Sequence, residues 1–398
     1  MHCFIQYLSL KKVQTIILFA TAILGLYTYF YPSFDSEHCS WQESEANSKF
    51  RALLFGDPQI RGASAFTNDL QSQLDIFGND YFLGHIYKTL SRRLQPKNVI
   101  VLGDLFSSQW IDDDEFEVRA NRYKNRIFRN QKGIAFYNLT GNHDIGYAHE
   151  ITYIRGGRFE EFFGPLNFVV YDPKHDLRLI VFNSMAIDGL EDDEEAGEFT
   201  RDTKTFLQHQ MQVDFKGTTI VATHVPLHKE AGICIDEPHF TFYGDNLIRE
   251  QNMLSAETSQ WILNGLFKSG SGIIVNGHDH EGCLLRHVYS TEQNWTVEPI
   301  QKGKGLYKYN ENRDGVVEIT IRSMMGEYGG NAGLLSVSNA GSVAYSLCTF
   351  GPQHIWWATQ VMLIISLIST CVVTSLTTRS TGSEKRLETC LDSSEKLE

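Results

Sequence analysis

Length, composition and charge exclude several protein classes at once. The chain has 398 residues, of which 42% are hydrophobic and 21% are charged. This balance is typical of globular proteins and unlike that of disordered, collagen-like or coiled-coil chains. The chain carries 48 acidic and 35 basic residues, a net charge of −13, which argues against nucleic acid as a partner because phosphate contacts need clustered lysine and arginine.

The first apolar run predicts a membrane anchor. Residues Val13–Tyr31 contain no charge, and a helix of that length, rising about 1.5 Å per residue, just spans a ~30 Å hydrocarbon core. A cleaved signal peptide is the alternative, but this run is longer than a signal-peptide core and ends in aromatic residues. We therefore expect a cytoplasmic segment at 1–12, an uncleaved transmembrane signal anchor at 13–31 and a linker at 32–49.

The region from 50 to 350 predicts one α/β domain. Continuous apolar runs of strand length alternate with helical patterns, as expected for strands that are buried on both faces of a sheet. The predicted strands are Arg51–Phe55, Asn98–Leu102, Ile134–Leu139, Leu177–Asn183, Thr218–Thr223 and Gly272–Val275, with a terminal hairpin at Leu334–Leu347. The predicted helices are Asp80–Leu94, Glu115–Arg129, Thr203–Gln212 and Ala256–Phe267.

Five of these strands are immediately followed by side chains that can bind metal ions. In α/β sheets, ligands bind in the crevice at the carboxyl ends of the strands, and glycines beside the polar residues let the backbone turn sharply there. The candidate metal ligands, in chain order, are Asp57, Gln59, Asp104, Asn142, His224, His278 and His280. Two further polar residues, His143 and Asp144, complete the motif Gly-Asn-His-Asp.

The types of these donors indicate the chemistry of the crevice. Carboxylate, amide and imidazole groups without cysteine suit Mn²⁺, Fe or Zn²⁺. Seven donors are too many for one tetrahedral zinc ion but suit two metal ions that share a carboxylate. Two ions about 3.5–4 Å apart can hold the attacking and leaving oxygens of an in-line displacement at phosphorus, and they would supply the positive charge that this acidic chain lacks.

A second apolar run predicts another membrane helix near the C-terminus. Residues Ile355–Leu376 are uncharged and begin with tryptophans, which are enriched at membrane interfaces. The basic residues that lie just outside the two runs are Lys11, Lys12, Arg379, Lys385 and Arg386. The positive-inside rule then places the N-terminus and a tail at 377–398 in the cytoplasm, and the central domain in a lumenal or extracellular compartment.

Cysteines and glycosylation sequons fit that compartment. The cysteines between the two runs are Cys39, Cys234, Cys283 and Cys348. An even number permits disulfides in an oxidising compartment, but the spacing leaves the pairing open. Of the two sequons, Asn294 is the better candidate for glycosylation, because Asn138 lies in a predicted core strand.

The ordered motifs D-x-(H/Q), GD, GNHD, H and GHxH, spread from Phe50 to about Leu347, resemble the calcineurin-like metallophosphoesterase superfamily. The resemblance implies a four-layer α/β/β/α sandwich with a dinuclear metal centre. It implies one metal bound by Asp57, Gln59 and His280, a second bound by Asn142, His224 and His278, and a bridge formed by Asp104. His143 would be the acid that protonates the leaving oxygen, and Asp144 would orient it.

Gln59 departs from the family pattern, because most members have histidine at this position. An amide oxygen is a harder and weaker donor than imidazole, which favours Mn²⁺ over Zn²⁺. We therefore expect two divalent ions, with Mn²⁺ as the favoured metal. The alternative is that Gln59 is not a ligand and that the centre is mononuclear.

The Asp-Pro-Gln variant, the two terminal membrane helices and the lumenal domain resemble the endoplasmic-reticulum (ER) phosphoesterases that remodel glycosylphosphatidylinositol (GPI) anchors. The segments Gly78–Tyr87 and Gly103–Ile111 resemble the branch that acts on the second mannose more than the branch that acts on the first. The resemblance implies a metal-dependent phosphodiesterase of the ER membrane that removes ethanolamine phosphate from the GPI glycan and promotes export of GPI-anchored proteins. Cargo-sorting machinery is a further candidate partner.

Two other functions remain open. The chain could be a broader lumenal phosphodiesterase or phosphatase for another lipid or a nucleotide, or a non-catalytic cargo-sorting membrane protein on a degenerate phosphoesterase fold. Residues beside the motifs are candidate substrate contacts, although a packing role is equally open for each: Tyr147, His149, Arg155 and His228.

Overall fold

The computed structural model describes residues 2–62, 69–129, 132–234, 240–244, 247–268, 272–290, 294–300, 306–310 and 315–394. The helices are α1 His2–Phe34, α2 Leu70–Leu94, α3 Asp113–Arg122, α4 Asn142–Ile145, α5 Tyr153–Phe163, α6 Ser184–Ile187, α7 Ala196–Gln212, α8 Ala256–Leu266 and α9 Gln353–Ser394. The strands are β1 Ser48–Phe55, β2 Asn98–Val101, β3 Ala135–Asn138, β4 Phe168–Asp172, β5 Leu177–Val181, β6 Thr218–Ala222, β7 Phe240–Phe242, β8 Ile248–Gln251, β9 Gly272–Asn276, β10 Cys283–Tyr289, β11 Trp295–Pro299, β12 Leu306–Asn310, β13 Val316–Thr320, β14 Asn331–Ser338 and β15 Ser342–Thr349.

Two mixed sheets form the centre of the domain. One has the strand order β12-β15-β14-β1-β2-β3, and the other has the order β11-β10-β13-β9-β6-β5-β4. Strands β1, β2 and β3 are parallel in the first sheet, and β5, β6, β9 and β13 are parallel in the second. The candidate metal ligands follow β1, β2, β3, β6 and β9, so they lie at the carboxyl ends of parallel strands, where α/β proteins bind ligands.

The inner faces of the two sheets share one apolar core. Leu54 and Ile100 of the first sheet are fully buried in the same cluster as Ile220 and Val275 of the second. Successive side chains of a strand point to opposite faces, so every second residue of these strands fills the space between the sheets. This core fixes the two ligand-bearing edges against each other.

Helices cover the outer faces. On the first sheet, the outward-facing ring of Phe55 meets Tyr87 of α2 edge to face, with ring centroids 6.1 Å apart. On the second sheet, the buried guanidinium of Arg178 donates a hydrogen bond to the backbone oxygen of Gln210 in α7 at 3.1 Å. The expected α/β/β/α sandwich is thereby confirmed.

The predicted strands and helices of the core are present, and most of their ends agree with the structure within one to three residues. The largest differences concern helices. Helix α2 begins at Leu70 and not at Asp80, with Asp69 as its N-cap, accepting from the backbone N–H of Ser72 at 2.7 Å. Half of residues 70–79 are polar, and the segment includes Gly78, a poor helix former, which explains why the sequence pattern predicted too late a start.

The two terminal helices form one unit of the molecule, and residues Asp35–Gln353 form the other. Within α1 and α9, the stretches Leu10–Phe34 and Gln353–Thr378 are long and apolar enough to cross a membrane. Helix α9 continues to Ser394, beyond the expected end of the span at residue 376. The sidedness of the two ends remains a prediction.

Hydroxyl pairs connect the two terminal helices. The Oγ1 of Thr21 lies 2.6 Å from the Oγ of Ser366, and the Oγ1 of Thr28 lies 2.7 Å from the Oγ1 of Thr359. Hydrogen bonds of this kind hold transmembrane helices together where the hydrophobic effect cannot. Helices α1 and α9 are therefore packed as a pair.

Two disulfides resolve the pairing that the sequence left open. Cys39, just after α1, is bonded to Cys348 near the end of β15. Cys234, before β7, is bonded to Cys283 at the start of β10. Both bonds lie within the unit Asp35–Gln353.

Candidate metal centre

Four of the candidate ligands lie where the backbone adopts an unusual conformation. Asp57, Gln59, Asp104 and His278 have φ angles of 49°, 39°, 51° and 70°. A non-glycine residue in this left-handed region costs about 1–3 kcal/mol and is found most often at functional sites. The turns after β1, β2 and β9 therefore have a strained backbone, which directs these side chains toward a common site.

A glycine allows the loop after β3 to approach that place closely. A Cβ atom on Gly141 would lie 2.2 Å from Oδ1 of Asp104 and 2.8 Å from Nε2 of His224. Both distances are far below van der Waals contact, so no other residue fits without displacing these two side chains. The glycine of the GNHD motif is thus required by packing at the site.

Asp104 lies at the centre of the cluster, and its two carboxylate oxygens face different neighbours. Oδ1 accepts the backbone N–H of His143 at 2.9 Å and lies 3.4 Å from Nε2 of His224. Oδ2 accepts from Nε2 of Gln59 at 3.1 Å. Asp57, Asp104 and His224 offer donor atoms that all lie within 4.8 Å of one another.

The remaining candidates complete two groups on either side of Asp104. On one side, Nε2 of His224 lies 3.2 Å from Oδ1 of Asn142 and 3.2 Å from Nδ1 of His278. On the other side, Nε2 of His280 lies 3.7 Å from Oδ1 of Asp57 and 3.4 Å from Nε2 of Gln59. The structure therefore brings all seven predicted donors together.

The tautomers of two histidines follow from their hydrogen bonds. Nδ1 of His224 lies 2.7 Å from the carbonyl oxygen of Leu102, and Nε2 of His278 lies 2.8 Å from the carbonyl oxygen of Gln251. A carbonyl can only accept, so each of these nitrogens carries the proton in a neutral ring. The other nitrogen of each ring then presents a lone pair to the centre, an arrangement typical of metal-binding histidines.

This arrangement fits a cation. The lone pairs of His224 and His278 face each other at 3.2 Å, beside oxygens of Asp104 and Asn142. Acceptor atoms packed in this way repel one another unless a positive ion lies among them. Carboxylate, amide and imidazole donors are those that divalent ions such as Mn²⁺, Fe²⁺ and Zn²⁺ use in proteins.

The electrostatics of the site point the same way. Burial and the neighbouring Asp104 carboxylate raise the pKa of Asp57 well above its ordinary value. Burial lowers the pKa of His224 and His280, and burial together with the charge of His224 lowers the pKa of His278 to about 3. The imidazoles are therefore neutral at pH 7, as metal ligands must be, and bound cations would relieve the repulsion between the two buried carboxylates.

The carboxylate of Asp144 bonds to the backbone of two loops. Both of its oxygens accept backbone N–H groups, those of Leu105, Phe106 and Gly141, at 2.9–3.1 Å. The ring of His143 lies instead beside Asp104, with Nε2 3.8 Å from Oδ2. Asp144 thus holds the loops after β2 and β3 together, and its role in orienting His143 stays a prediction.

Sequence reasoning missed the groups that support the ligands. Ser184 accepts the backbone N–H of both His224 and Val225 through Oγ, at 3.2 and 3.0 Å. Gln251 contributes only its backbone carbonyl, which any residue possesses. No signal in the sequence could have identified either supporting group.

The candidate substrate contacts lie in different surroundings. Tyr147 is buried and meets His278 edge to face at 6.4 Å, and His149 meets the exposed ring of Tyr243 at 5.6 Å. Arg155 lies over an exposed tryptophan on the loop after β2. His228 is half-buried on the loop that follows β6.

Comparison with known proteins agrees with this geometry. Residues 50–282 match the family described as calcineurin-like phosphoesterase. The chain is 32% identical to protein TED1 of Saccharomyces cerevisiae over 475 aligned positions, covering 91% of this chain and 98% of that protein. It is 25% identical to metallophosphoesterase 1 of Danio rerio, covering 63% of this chain and 68% of that protein.

Among solved structures, a dimetal phosphatase from Danio rerio aligns with a TM-score of 0.36 and 12% identity, over 75% of this chain and 99% of that one. The family match spans more than half of the chain and contains every candidate ligand from Asp57 to His280. By that match, and by its near-complete coverage of a relative 32% identical, the chain belongs to the calcineurin-like phosphoesterases, a family of metal-dependent hydrolases.

Proposed function

We propose that this protein is a phosphodiesterase that uses two divalent metal ions to remove an ethanolamine phosphate branch from the second mannose of the GPI-anchor glycan. One observation carries the catalytic part of the proposal: Oδ1 of Asp104 faces His224 and Oδ2 faces Gln59, candidate ligands from the two separate groups. A carboxylate in that position is suited to bridge two cations. The alternative of a degenerate, non-catalytic fold is less favoured because no member of the donor set is missing.

The donors divide between the two ions by their positions. One ion would be held by Asp57, Gln59 and His280, the other by Asn142, His224 and His278, and Asp104 would contribute one oxygen to each. Mn²⁺ is the metal we favour, because carboxylate and amide oxygens contribute four of the seven donors. When bound, two such ions lower the pKa of a coordinated water and stabilise charge on the phosphoryl oxygens.

The chain itself provides the proton for the leaving group. His143 is held by its backbone N–H to Asp104 at 2.9 Å, while its side chain is 36% exposed. The ring can therefore reach a substrate oxygen from a fixed backbone, as a general acid must. Attack of water at phosphorus would break the bond from phosphorus to the mannose oxygen, which would leave with that proton as a free hydroxyl, and ethanolamine phosphate would be the second product.

The membrane assignment supports a lipid-linked substrate. Two helices are long and apolar enough to span a bilayer, and anchoring would confine enzyme and GPI-anchored protein to the same surface. Two disulfides in the domain between them support an oxidising compartment. We place this domain in the ER lumen, with residues 1–12 and 377–398 in the cytoplasm. Asn294, exposed before β11, would be glycosylated there.

The substrate assignment predicts a defined glycan phenotype. Cells that lack this protein should carry GPI glycans heavier by one ethanolamine phosphate on the second mannose, because removal of that branch is the proposed reaction. Mass spectrometry of released glycans measures the change, and full-length protein with Mn²⁺ should reverse it in vitro. Glycans of unchanged mass, or an extra branch on another mannose, would contradict the proposal.

The role of Gln59 can be tested separately. Gln59→Ala should weaken binding of one of the two Mn²⁺ ions by about 10–100-fold, the range seen for groups that support a metal site, and leave the other unchanged. Metal content and calorimetric titration measure the two affinities. Gln71→Ala, an exposed glutamine on α2, is the control. If two ions bind the Gln59 variant as tightly as the wild type, Gln59 is only a hydrogen-bond donor to Asp104.

A further inference from the structure

An exposed indole projects from the loop that carries Asp104. Trp110 lies six positions after Asp104 and is 67% exposed. A tryptophan presents a large apolar face and one N–H donor, which makes it a frequent anchor in recognition sites. Single exposed apolar residues are common, so its surroundings decide whether it has a function.

The backbone on both sides of Trp110 is fixed by one arginine. Arg158 of α5 donates to the carbonyl oxygen of Ile111 at 2.8 Å and to that of Gln109 at 3.3 Å, and its own side chain is only 9% exposed. A second arginine, Arg155, lies over the indole with its guanidinium 4.3 Å from the ring centroid. The indole is therefore held in place before any ligand binds, which reduces the entropic cost of binding.

The same loop is connected to the metal centre. The side-chain amide of Gln109 donates to Oε2 of Glu150 at 3.3 Å, and the backbone N–H of Tyr147 donates to the same oxygen at 3.1 Å. The ring of Tyr147 in turn meets His278. The residue next to Trp110 is thus connected to the metal centre by a short series of contacts.

A sugar ring fits this pair of residues. A pyranose has an apolar face of C–H groups that can stack on the face of the indole that Arg155 does not cover, and hydroxyl groups at its edge that need hydrogen-bond donors. Within the described chain, Arg155 uses one of its five N–H groups on the carbonyl oxygen of Glu150 at 2.6 Å. The others can donate to hydroxyl or phosphate oxygens beside the indole.

We propose that Trp110 and Arg155 form a stacking platform for a mannose of the glycan and determine the preference of the enzyme for glycan-borne over small phosphodiesters. This inference rests on the proposed function, because it takes the GPI glycan as the substrate. The platform acts on substrate binding and leaves the chemistry at the metal centre unchanged.

The experiment compares two substrates of the full-length, Mn²⁺-loaded protein: a GPI glycan bearing ethanolamine phosphate, and bis(p-nitrophenyl) phosphate, which has no sugar. Trp110→Ala should raise KM for the glycan about 10- to 30-fold, the scale for truncating an aromatic anchor, with kcat for the glycan and both constants for the small ester unchanged. Trp110→Phe should recover part of the loss. Phe77→Ala, an exposed aromatic on α2, should change neither substrate.

Each other outcome overturns the inference. If Trp110→Ala leaves KM for the glycan unchanged, the platform is refuted and the proposed function is not. If KM rises equally for both substrates, Trp110 has a structural role. Weaker binding of the variant to phosphatidylcholine vesicles, with glycan KM unaltered, would make Trp110 a membrane contact. If the wild type hydrolyses the small ester but not the glycan, the proposed function fails and the platform fails with it.

Discussion

Asp104→Asn should lower phosphodiesterase activity by more than about 100-fold and reduce the metal content from two ions per chain to one or fewer. Mutation of a residue that supports a metal ligand typically lowers metal affinity or activity by about 10–100-fold. Mutation of a ligand that both ions share should lower them further. The two oxygens of Asp104 face candidate ligands from different groups, His224 and Gln59, whereas asparagine has one oxygen and no charge. Turnover of a chromogenic phosphodiester and elemental analysis of the purified protein measure the two losses.

A matched control separates the site from the backbone. Asp176 has the same left-handed conformation, with φ 49° against 51° for Asp104, but it is exposed between β4 and β5. Asparagine tolerates this conformation, so Asp176→Asn should keep full activity and both ions. An Asp104→Asn protein that retains both ions and wild-type turnover would refute the bridging role.

The second large effect concerns stability. Glu318, in the middle of β13, is 1% exposed. Its Oε1 accepts from the side-chain amide of Asn276 at 2.6 Å and from the backbone N–H of Leu227 at 2.8 Å, and its Oε2 lies 2.6 Å from Nε2 of His287. Glu318→Ala removes three hydrogen bonds and leaves their donors buried, which should cost about 3–5 kcal/mol of unfolding free energy.

The pKa of the Glu318 carboxylate makes the stability of the fold depend on pH. Burial alone would raise the pKa of Glu318, but the hydrogen bond and charge of His287, the charge of Lys229 and the N–H of Leu227 lower it below its ordinary value. A group whose pKa is lowered by folding contributes stability above the pKa of the unfolded chain, about 4.3, and loses it as pH falls through the folded pKa.

Urea unfolding of the full-length protein in detergent measures the stability loss in Glu318→Ala and the pH dependence in Glu318→Gln. The difference in unfolding free energy between wild type and Glu318→Gln should be largest at pH 6–7 and shrink steadily below about pH 4.3. Glu298→Gln removes a carboxylate that is 52% exposed and paired with Arg286, and it should change stability by less than about 1 kcal/mol. A Glu318→Gln difference that is constant from pH 7 to pH 3 would contradict the assignment.

The positions of the metal ligands could be predicted because each ligand directly follows a strand that the sequence itself marks. An apolar run that ends in Gly-Asp or Gly-His predicts both the strand and the side chain at its end, and parallel strands place such ends along one edge. Asp57, Asp104 and His278 were identified in this way. Their left-handed φ angles were not, since nothing in the residue types distinguishes a strained aspartate from an ordinary turn.

Hydrogen bonds between side chains and the backbone could not be predicted from the sequence. The sequence predicted that Asp144 orients the neighbouring ring of His143, but it did not reveal that the carboxylate accepts the backbone N–H groups of Leu105, Phe106 and Gly141, a donor that any non-proline residue carries. The same holds for the carbonyl of Gln251 that fixes the tautomer of His278. Partners of this kind are set by the path of the chain, and residue identity does not reveal them.

The bond between Cys39 and Cys348 makes a closed loop of the catalytic domain. Helix α1 ends at Phe34, just before this bond, and helix α9 begins at Gln353, just after it. A single proteolytic nick inside the loop would leave the two fragments covalently joined by this disulfide, and held at both ends if the terminal helices span a bilayer as proposed. Shedding the domain would require cleavage of both short connectors, 35–38 and 349–352, in the same molecule.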